Sequence, residues 1–312
     1  MLLLLILISI LFTSCSLNSS NIQSDVYLVS VALDYDKMGV NTLLGTLNDQ
    51  DAIINQFEFL TAKENRNFYS YQITQKGDKA FYKYYTKQSR GDEIEIIKDI
   101  SFNNIKAEIK NIFKNLRCKD NDLVIFFYAG HGLGSTERER LGSLVLGDIS
   151  SISVNSNTYK ILTYYLDDLR YDISLLTGNK VILIDSCHSG AIVKDDNVDK
   201  TWDIKASYEN LFRKNKINND LVWEISACTP DKLSYESEET ADYKAHGKFS
   251  KHLLEYLGYK FYAEQVEGSG LPSSKQLSVL DAWKYIKERL EKGGKQTPVT
   301  GLTERDLLLF SL

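Results

Sequence analysis

Leu123-Val124-Ile125-Phe126-Phe127-Tyr128-Ala129-Gly130-His131-Gly132 and Lys180-Val181-Ile182-Leu183-Ile184-Asp185-Ser186-Cys187-His188-Ser189-Gly190 decide how this chain folds. Each contains a run of β-branched, aliphatic and aromatic residues, Leu123 to Phe127 and Lys180 to Ile184, that reads as a strand buried on both faces. That is the pattern of a parallel sheet. Each run then breaks into small residues around one reactive side chain. His131 and Cys187 are thereby placed at the carboxyl ends of two strands, the edge at which open α/β sheets build their sites. A thiol needs a base or a positive field to become a thiolate near neutral pH. A histidine across the strand ends supplies that base and can later protonate a leaving amine.

Working outward, Val26 to Leu33 reads as a first strand. A helix capped by Asn48 or Asp49 follows, with Ile53, Ile54, Phe57 and Leu60 on one face. Phe68 to Ile73 and Phe81 to Thr86, on either side of Gln75-Lys76-Gly77-Asp78-Lys79, predict an aromatic β-hairpin inserted into the fold. Its role is either a flap beside the substrate or a surface hairpin packed on the sheet. Glu93 to Ile97 predicts a short strand. Ser101 caps a helix in which Ile105, Ile109, Ile112, Phe113 and Leu116 keep helical spacing. A helix around Leu166 to Leu176 separates the two opening strands. Beyond Gly190, Lys194 to Asp220 is charged with poor periodicity and reads as a linker. Leu221 to Ala227 resumes as a strand, Phe249 to Leu257 and Val279 to Leu290 as helices, and Leu307 to Phe310 as a last strand. Strands alternating with helices predict an α/β fold, a mainly parallel sheet with helices on both faces.

The 312 residues, 43% of them hydrophobic and 25% charged, are enough to bury one sizeable core. A formal net charge of −5 argues against nucleic acid as a partner, and no basic run with interleaved aromatics opposes that. Leu2 to Thr13 is an apolar run short of the roughly 20 residues that span a bilayer, but suited to the core of a secretory signal. Its end, Leu11-Phe12-Thr13-Ser14-Cys15, resembles the lipobox of bacterial lipoproteins, which implies lipid modification of Cys15 and an envelope location; the alternative is an ordinary cleaved signal. Ser16 to Ser24 reads as a polar tether. Only Cys118, Cys187 and Cys228 follow it, too few for a disulfide framework, and Cys118 and Cys228 read as small buried or half-buried residues. No cysteine and histidine pair has zinc spacing.

His131 and Cys187 are 56 residues apart. A cysteine with its histidine about 50 residues upstream is a known mark of the caspases. With that spacing the chain resembles the caspase-like cysteine peptidases, in particular their metacaspase and bacterial branch. Six segments carry the resemblance in the family's order: Leu44-Gly45-Thr46-Leu47-Asn48-Asp49, Gly130-His131-Gly132, Asp185-Ser186-Cys187-His188-Ser189-Gly190, Ile225-Ser226-Ala227-Cys228, Gly247-Lys248-Phe249-Ser250 and Gln296-Thr297-Pro298. The resemblance implies a caspase-like three-layer sandwich over residues 25–312. Within it, a large-subunit-like part (25–193) and a small-subunit-like part (221–312) flank the linker (194–220), and the signal (1–15) and tether (16–24) precede it.

The resemblance also implies roles. Cys187 is the nucleophile and His131 the base and later acid. The glycines on either side of His131, and Ser186, Ser189 and Gly190 around Cys187, suit exposed turns. The backbone N–H groups of Gly132 and Cys187 would form the oxyanion hole. Asp185 stands where caspases carry a Gln that serves an Asp-specific pocket. A carboxylate there would repel acidic side chains and pair with Arg or Lys, after which the metacaspase branch cleaves. Otherwise Asp185 is a capping group at the strand end. Asp231 and Glu236 could add a second acidic wall. His188, His246 and His252 read as structural.

Some metacaspases bind calcium. Asp167-Asp168 and Asp195-Asp196 offer oxygens, but six or more are needed and no aspartate cluster follows His131, so no cofactor is required on this reading. The expected activity is that of a cysteine endopeptidase acting on peptide or protein substrates through an acyl-enzyme. The alternatives are a non-enzymatic caspase-fold binding protein and a thiol-dependent transpeptidase.

Overall fold

The computed structural model describes residues 24–88, 93–134, 142–148, 161–186, 222–228, 233–237, 244–261, 276–293, 296–300 and 305–312. The elements run β1 (Val26–Leu33), α1 (Thr46–Lys63), β2 (Phe68–Lys76), β3 (Lys79–Lys87), β4 (Glu93–Ile100), α2 (Ile105–Asn115), β5 (Leu123–Ala129), β6 (Gly132–Leu133), β7 (Ser143–Val145), β8 (Thr163–Tyr165), α3 (Leu166–Ser174), β9 (Asn179–Asp185), β10 (Val222–Ser226), α4 (Lys248–Tyr256), β11 (Gln276–Ser278), α5 (Val279–Lys292), β12 (Val299–Thr300) and β13 (Leu308–Ser311).

Eight strands form the central sheet in the order β12-β10-β9-β5-β1-β2-β3-β4. The inner pairs β10–β9, β9–β5, β5–β1 and β1–β2 are parallel, and antiparallel strands close both edges. β5 shows why its sequence is apolar throughout. Leu123, Ile125 and Phe127 pack on one side with Phe57, Phe249, Leu253 and Ile286 of α1, α4 and α5. Val124, Phe126 and Tyr128 pack on the other with Ile109, Phe113, Leu169 and Ile173 of α2 and α3. A strand with cores on both faces has no side left for polar residues. The fold is thus α/β in three layers, a mainly parallel sheet flanked by helices. Phe57 is fully buried, and cutting it to Ala would cost about 3–5 kcal/mol through lost contacts and a cavity.

The hairpin expected as an insertion is part of this sheet. β2 lies parallel to β1 from Val26↔Phe68 to Leu33↔Gln75, with α1 as the connection, and β3 and β4 extend the edge. Gln50 of α1 ties the pairing from one side, its amide donating to Ser30 and to the carbonyl of Ile73 while its oxygen accepts from Thr74. The reading of a hairpin merely packed on the sheet fails because β2 has a parallel partner that a two-strand pattern does not reveal.

Two helix starts also differ. Neither Asn48 nor Asp49 caps α1, which starts at Thr46; the N–H groups of Leu44 and Gly45 just ahead of it are held by the Glu236 carboxylate at 3.1 and 2.7 Å. Ser101 is followed by a 3-10 turn, Phe102–Asn104, before α2 begins. β13 pairs with β11 outside the central sheet. Small strands β6, β7 and β8 form a further antiparallel sheet beside the carboxyl end of β5. The linker read at Lys194 to Asp220 lies outside the described residues.

Candidate active site

Register sets the site. Ala129 and Asp185, the last residues of β5 and β9, are partners, and Gly130 N–H donates to the Asp185 carbonyl at 3.2 Å. His131 and residue 187 therefore each come two positions in sequence after the ends of adjacent strands. A cleft of about 510 Å³ opens over this edge, lined by His131, Gly132, Ser186, Asp185, Asp49 and Glu236 among others. Cys187 itself, Cys15 and Asp231 lie outside the described residues. Ser186 is buried, its hydroxyl has no hydrogen-bond partner among the described residues, and its carbonyl accepts from the buried Cys228 thiol at 3.4 Å. Cys118 is half-buried, and burial pushes its thiol up to about 12, so it is no competitor for the role of nucleophile.

His131 is held by neutral groups. Its Nε2 lies 2.6 Å from the carbonyl oxygen of Asn41, which can only accept, so Nε2 carries the proton and Nδ1 keeps its lone pair. Burial lowers its pKa, with the Asn41 bond opposing, so the ring is neutral near pH 7 and competent as a base. The ring of Tyr35 packs against it, centroids 4.5 Å apart.

Two buried phenols hold the main chain of the same loop. Tyr35 Oη accepts from His131 N–H at 2.9 Å and donates to the Val145 carbonyl at 2.6 Å. Tyr128 Oη lies 2.7 Å from the carbonyls of His131 and of Val145 and 2.9 Å from Tyr35 Oη. Burial raises both phenol pKa values, so both stay neutral. The tightness explains Gly130: a Cβ there would come within 2.6 Å of Tyr128 Oη and 2.7 Å of Tyr35 Oη. Tyr35 takes φ of 59°, a left-handed conformation that costs on the order of 1–2 kcal/mol for a residue with a Cβ. Its N–H donates to Gln75 Oε1 at 2.8 Å, which offsets part of that cost.

The other side of the cleft is acidic. Asp185 is buried at the end of β9. Its Oδ2 accepts from Ser250 N–H and Oγ at 2.9 and 2.7 Å, and its Oδ1 from Ser234 Oγ at 2.8 Å. Burial raises its pKa, and the Ser250 and Ser234 bonds pull the other way. Asp49, from the first turn of α1, accepts from His246 Nδ1 at 2.8 Å and from Gly247 N–H at 2.9 Å. Burial pushes its carboxyl well above the ordinary value, and the neighbouring Asp185 adds to that. The two carboxylates converge on Gly247: a Cβ there would collide with an Asp185 oxygen and come within 3.0 Å of an Asp49 oxygen. Glu236 lines the cleft as well, with both oxygens engaged at the start of α1. A cleft with these walls favours a cation, and an uncharged base stands at its rim.

His131, Gly132, Asp185 and Glu236 are thus brought to one cleft. Asp49, Asn41 and Ser234 line it unforeseen, and Tyr35, Tyr128 and Ser250 hold lining residues from behind. Asp49 had a signal in the sequence: it stands four residues before Ile53 and therefore on the buried face of α1. His246, read as structural, is the partner of Asp49. Asp167 and Asp168 sit in the first turn of α3, where carboxylates offset the helix dipole. Among the described residues no group of three or more histidine, cysteine or carboxylate side chains is arranged to hold a metal ion. No curated protein sequence matches the chain. The family model described as the caspase domain matches residues 31–307, which takes in every strand end and wall of this cleft, and the chain belongs to the caspase-like cysteine peptidase family.

Proposed function

We propose that the protein is a cysteine endopeptidase that cleaves after Arg or Lys. The observation that carries the reading is the union, in one cleft, of a neutral histidine with Nδ1 available and two converging buried carboxylates. In the proposed reaction His131 Nδ1 takes the proton from Cys187 Sγ, and the thiolate attacks the scissile carbonyl carbon. The oxyanion is held by the N–H groups of Gly132 and Cys187, and protonated His131 gives its proton to the leaving amine as the C–N bond breaks. Water, deprotonated by His131, then cleaves the thioester, releasing a carboxylic acid and the thiol. The P1 cation lies between Asp185 and Asp49, where its desolvation is offset by charge. Profiling a peptide library with purified protein tests this: cuts after Arg and Lys that vanish in Cys187→Ala are expected, and cuts after Asp would overturn the specificity.

Two further readings rest on the sequence. Lipidation of Cys15 would anchor the chain at a membrane. Detergent-phase partitioning that is lost in Cys15→Ser tests it. Self-cleavage after Lys194, Lys200, Lys205, Arg213, Lys214 or Lys216 would leave two fragments held by the β9–β10 pairing. Mass spectrometry of wild-type and Cys187→Ala protein tests that.

A further inference from the structure

The acidic wall has a histidine behind it. Asp49 lines the cleft and His246 does not; His246 reaches the far side of the same carboxylate, Nδ1 to Oδ1 at 2.8 Å, while Oδ2 is fixed by Gly247 N–H. The two side chains are 7% and 2% exposed, so solvent screens their interaction little. Phe261 closes His246 off edge-on, ring centroids 5.0 Å apart, with Lys251 over that phenyl ring at 5.9 Å. Among the described residues the charged groups acting on Asp49 are Asp185 from β9 and Glu236, while Lys248 of α4 turns to Tyr235. His131 stands at the rim of the same cleft.

Because Nδ1 points at a carboxylate, the pair has two protonation levels. Neutral imidazole with ionised Asp49 carries one negative charge, and one further proton on either partner makes the pair neutral. The cleft is therefore more acidic by one charge at the first level than at the second. We propose that His246 is a positioning residue that makes recognition of the P1 cation proton-linked: the guanidinium or ammonium group takes the place of a proton held by the His246–Asp49 pair. The inference rests on the basic-P1 reading above and adds its regulation. Entry of the cation breaks no covalent bond; it releases one proton to solvent, and affinity rises with pH until the pair holds no extra proton. A protease of this kind binds basic substrates weakly in an acidified compartment and tightly near neutrality.

The test uses full-length Cys187→Ala protein, which cannot turn over, and a peptide amide ending in Arg, with the same peptide ending in norleucine as control. Titration calorimetry at pH 6.5 in two buffers of different ionisation enthalpy counts protons. The Arg peptide should release about three-quarters of a proton more than the norleucine peptide, which meets His131 in the same way but brings no cation. The Arg peptide's Kd should fall about tenfold from pH 6 to pH 8. Adding His246→Gln, whose amide can still donate to Asp49 but takes no proton, should keep binding and move that change by about one pH unit or more, because Asp49 alone then holds the proton. Equal proton counts for the two peptides, or an unchanged pH dependence in a folded His246→Gln protein, would overturn the inference while leaving the Arg and Lys reading intact. No preference for Arg over norleucine at any pH would overturn that reading and this inference with it.

Discussion

The two sides of the cleft are built from opposite materials. Around His131 the contacts among the described residues are neutral: a carbonyl on Nε2, a tyrosine ring against the imidazole, and two phenols on the loop's main chain. Across the cleft, Asp185 and Asp49 are buried and held by hydroxyls, N–H groups and one histidine. A base that must stay uncharged near pH 7 is served by neutral neighbours and partial burial. A pocket that must attract a cation needs charge kept out of water, where screening is weak. In the proposed function this difference separates turnover, set on the histidine side, from binding, set on the acidic side.

The largest effects test the histidine side. Cys187→Ala and His131→Ala should each lower kcat by 10³-fold or more without changing the melting temperature appreciably. The double variant should lose no more than either, because the two act as one unit. Steady-state kinetics on an Arg peptide checks this, and retained turnover in a folded Cys187→Ala protein would remove the proposed chemistry.

Next comes the acidic side. Asp185→Asn should lower kcat/KM for Arg and Lys peptides about 100-fold, mainly through KM, since a neutral amide cannot offset the desolvation of a cation. A drop confined to kcat would show that the two sides are not separable. Smaller, and on the neutral side again, Tyr128→Phe and Tyr35→Phe should each lower kcat about tenfold with KM unchanged, by loosening the loop that carries His131 and Gly132. Rates must be normalised to sites titrated with a thiol-reactive inhibitor, so that partial unfolding does not imitate the effect.

The smallest effect is on stability. The pKa of Asp49 is raised on folding, so the unfolded chain gives up that proton first, and the stability present below the unfolded value is lost as pH rises through the folded one. Asp49→Asn removes this loss. It should raise the melting temperature by about 2–4 °C at pH 7.5, with the gain shrinking toward pH 4, while weakening the binding of basic peptides. A variant less stable at both pH values would mean that the bond to His246 outweighs the burial cost.

Local pattern determined a great deal here. The unbroken apolar runs at β1, β5 and β9 have no solvated face, so a parallel sheet covered on both sides follows from them alone. The small residues after β5 and β9 mark the chemical edge, and helical spacing located α2, α4 and α5 because one face of each must be apolar. Only the tertiary structure decided the place of β2 and β3, since a hairpin pattern says nothing about which strand lies on its far side. It also decided what the buried polar residues do. Asp49 looks like a helix cap in sequence and is a wall of the cleft, and Tyr35 and Tyr128 hold the histidine loop. Asn41 enters through its carbonyl, which no side chain announces. Hydrophobic periodicity reports how a residue meets solvent, whereas hydrogen bonds between residues 90 to 200 positions apart depend on where the chain returns in space, and that is settled only when all the layers pack together.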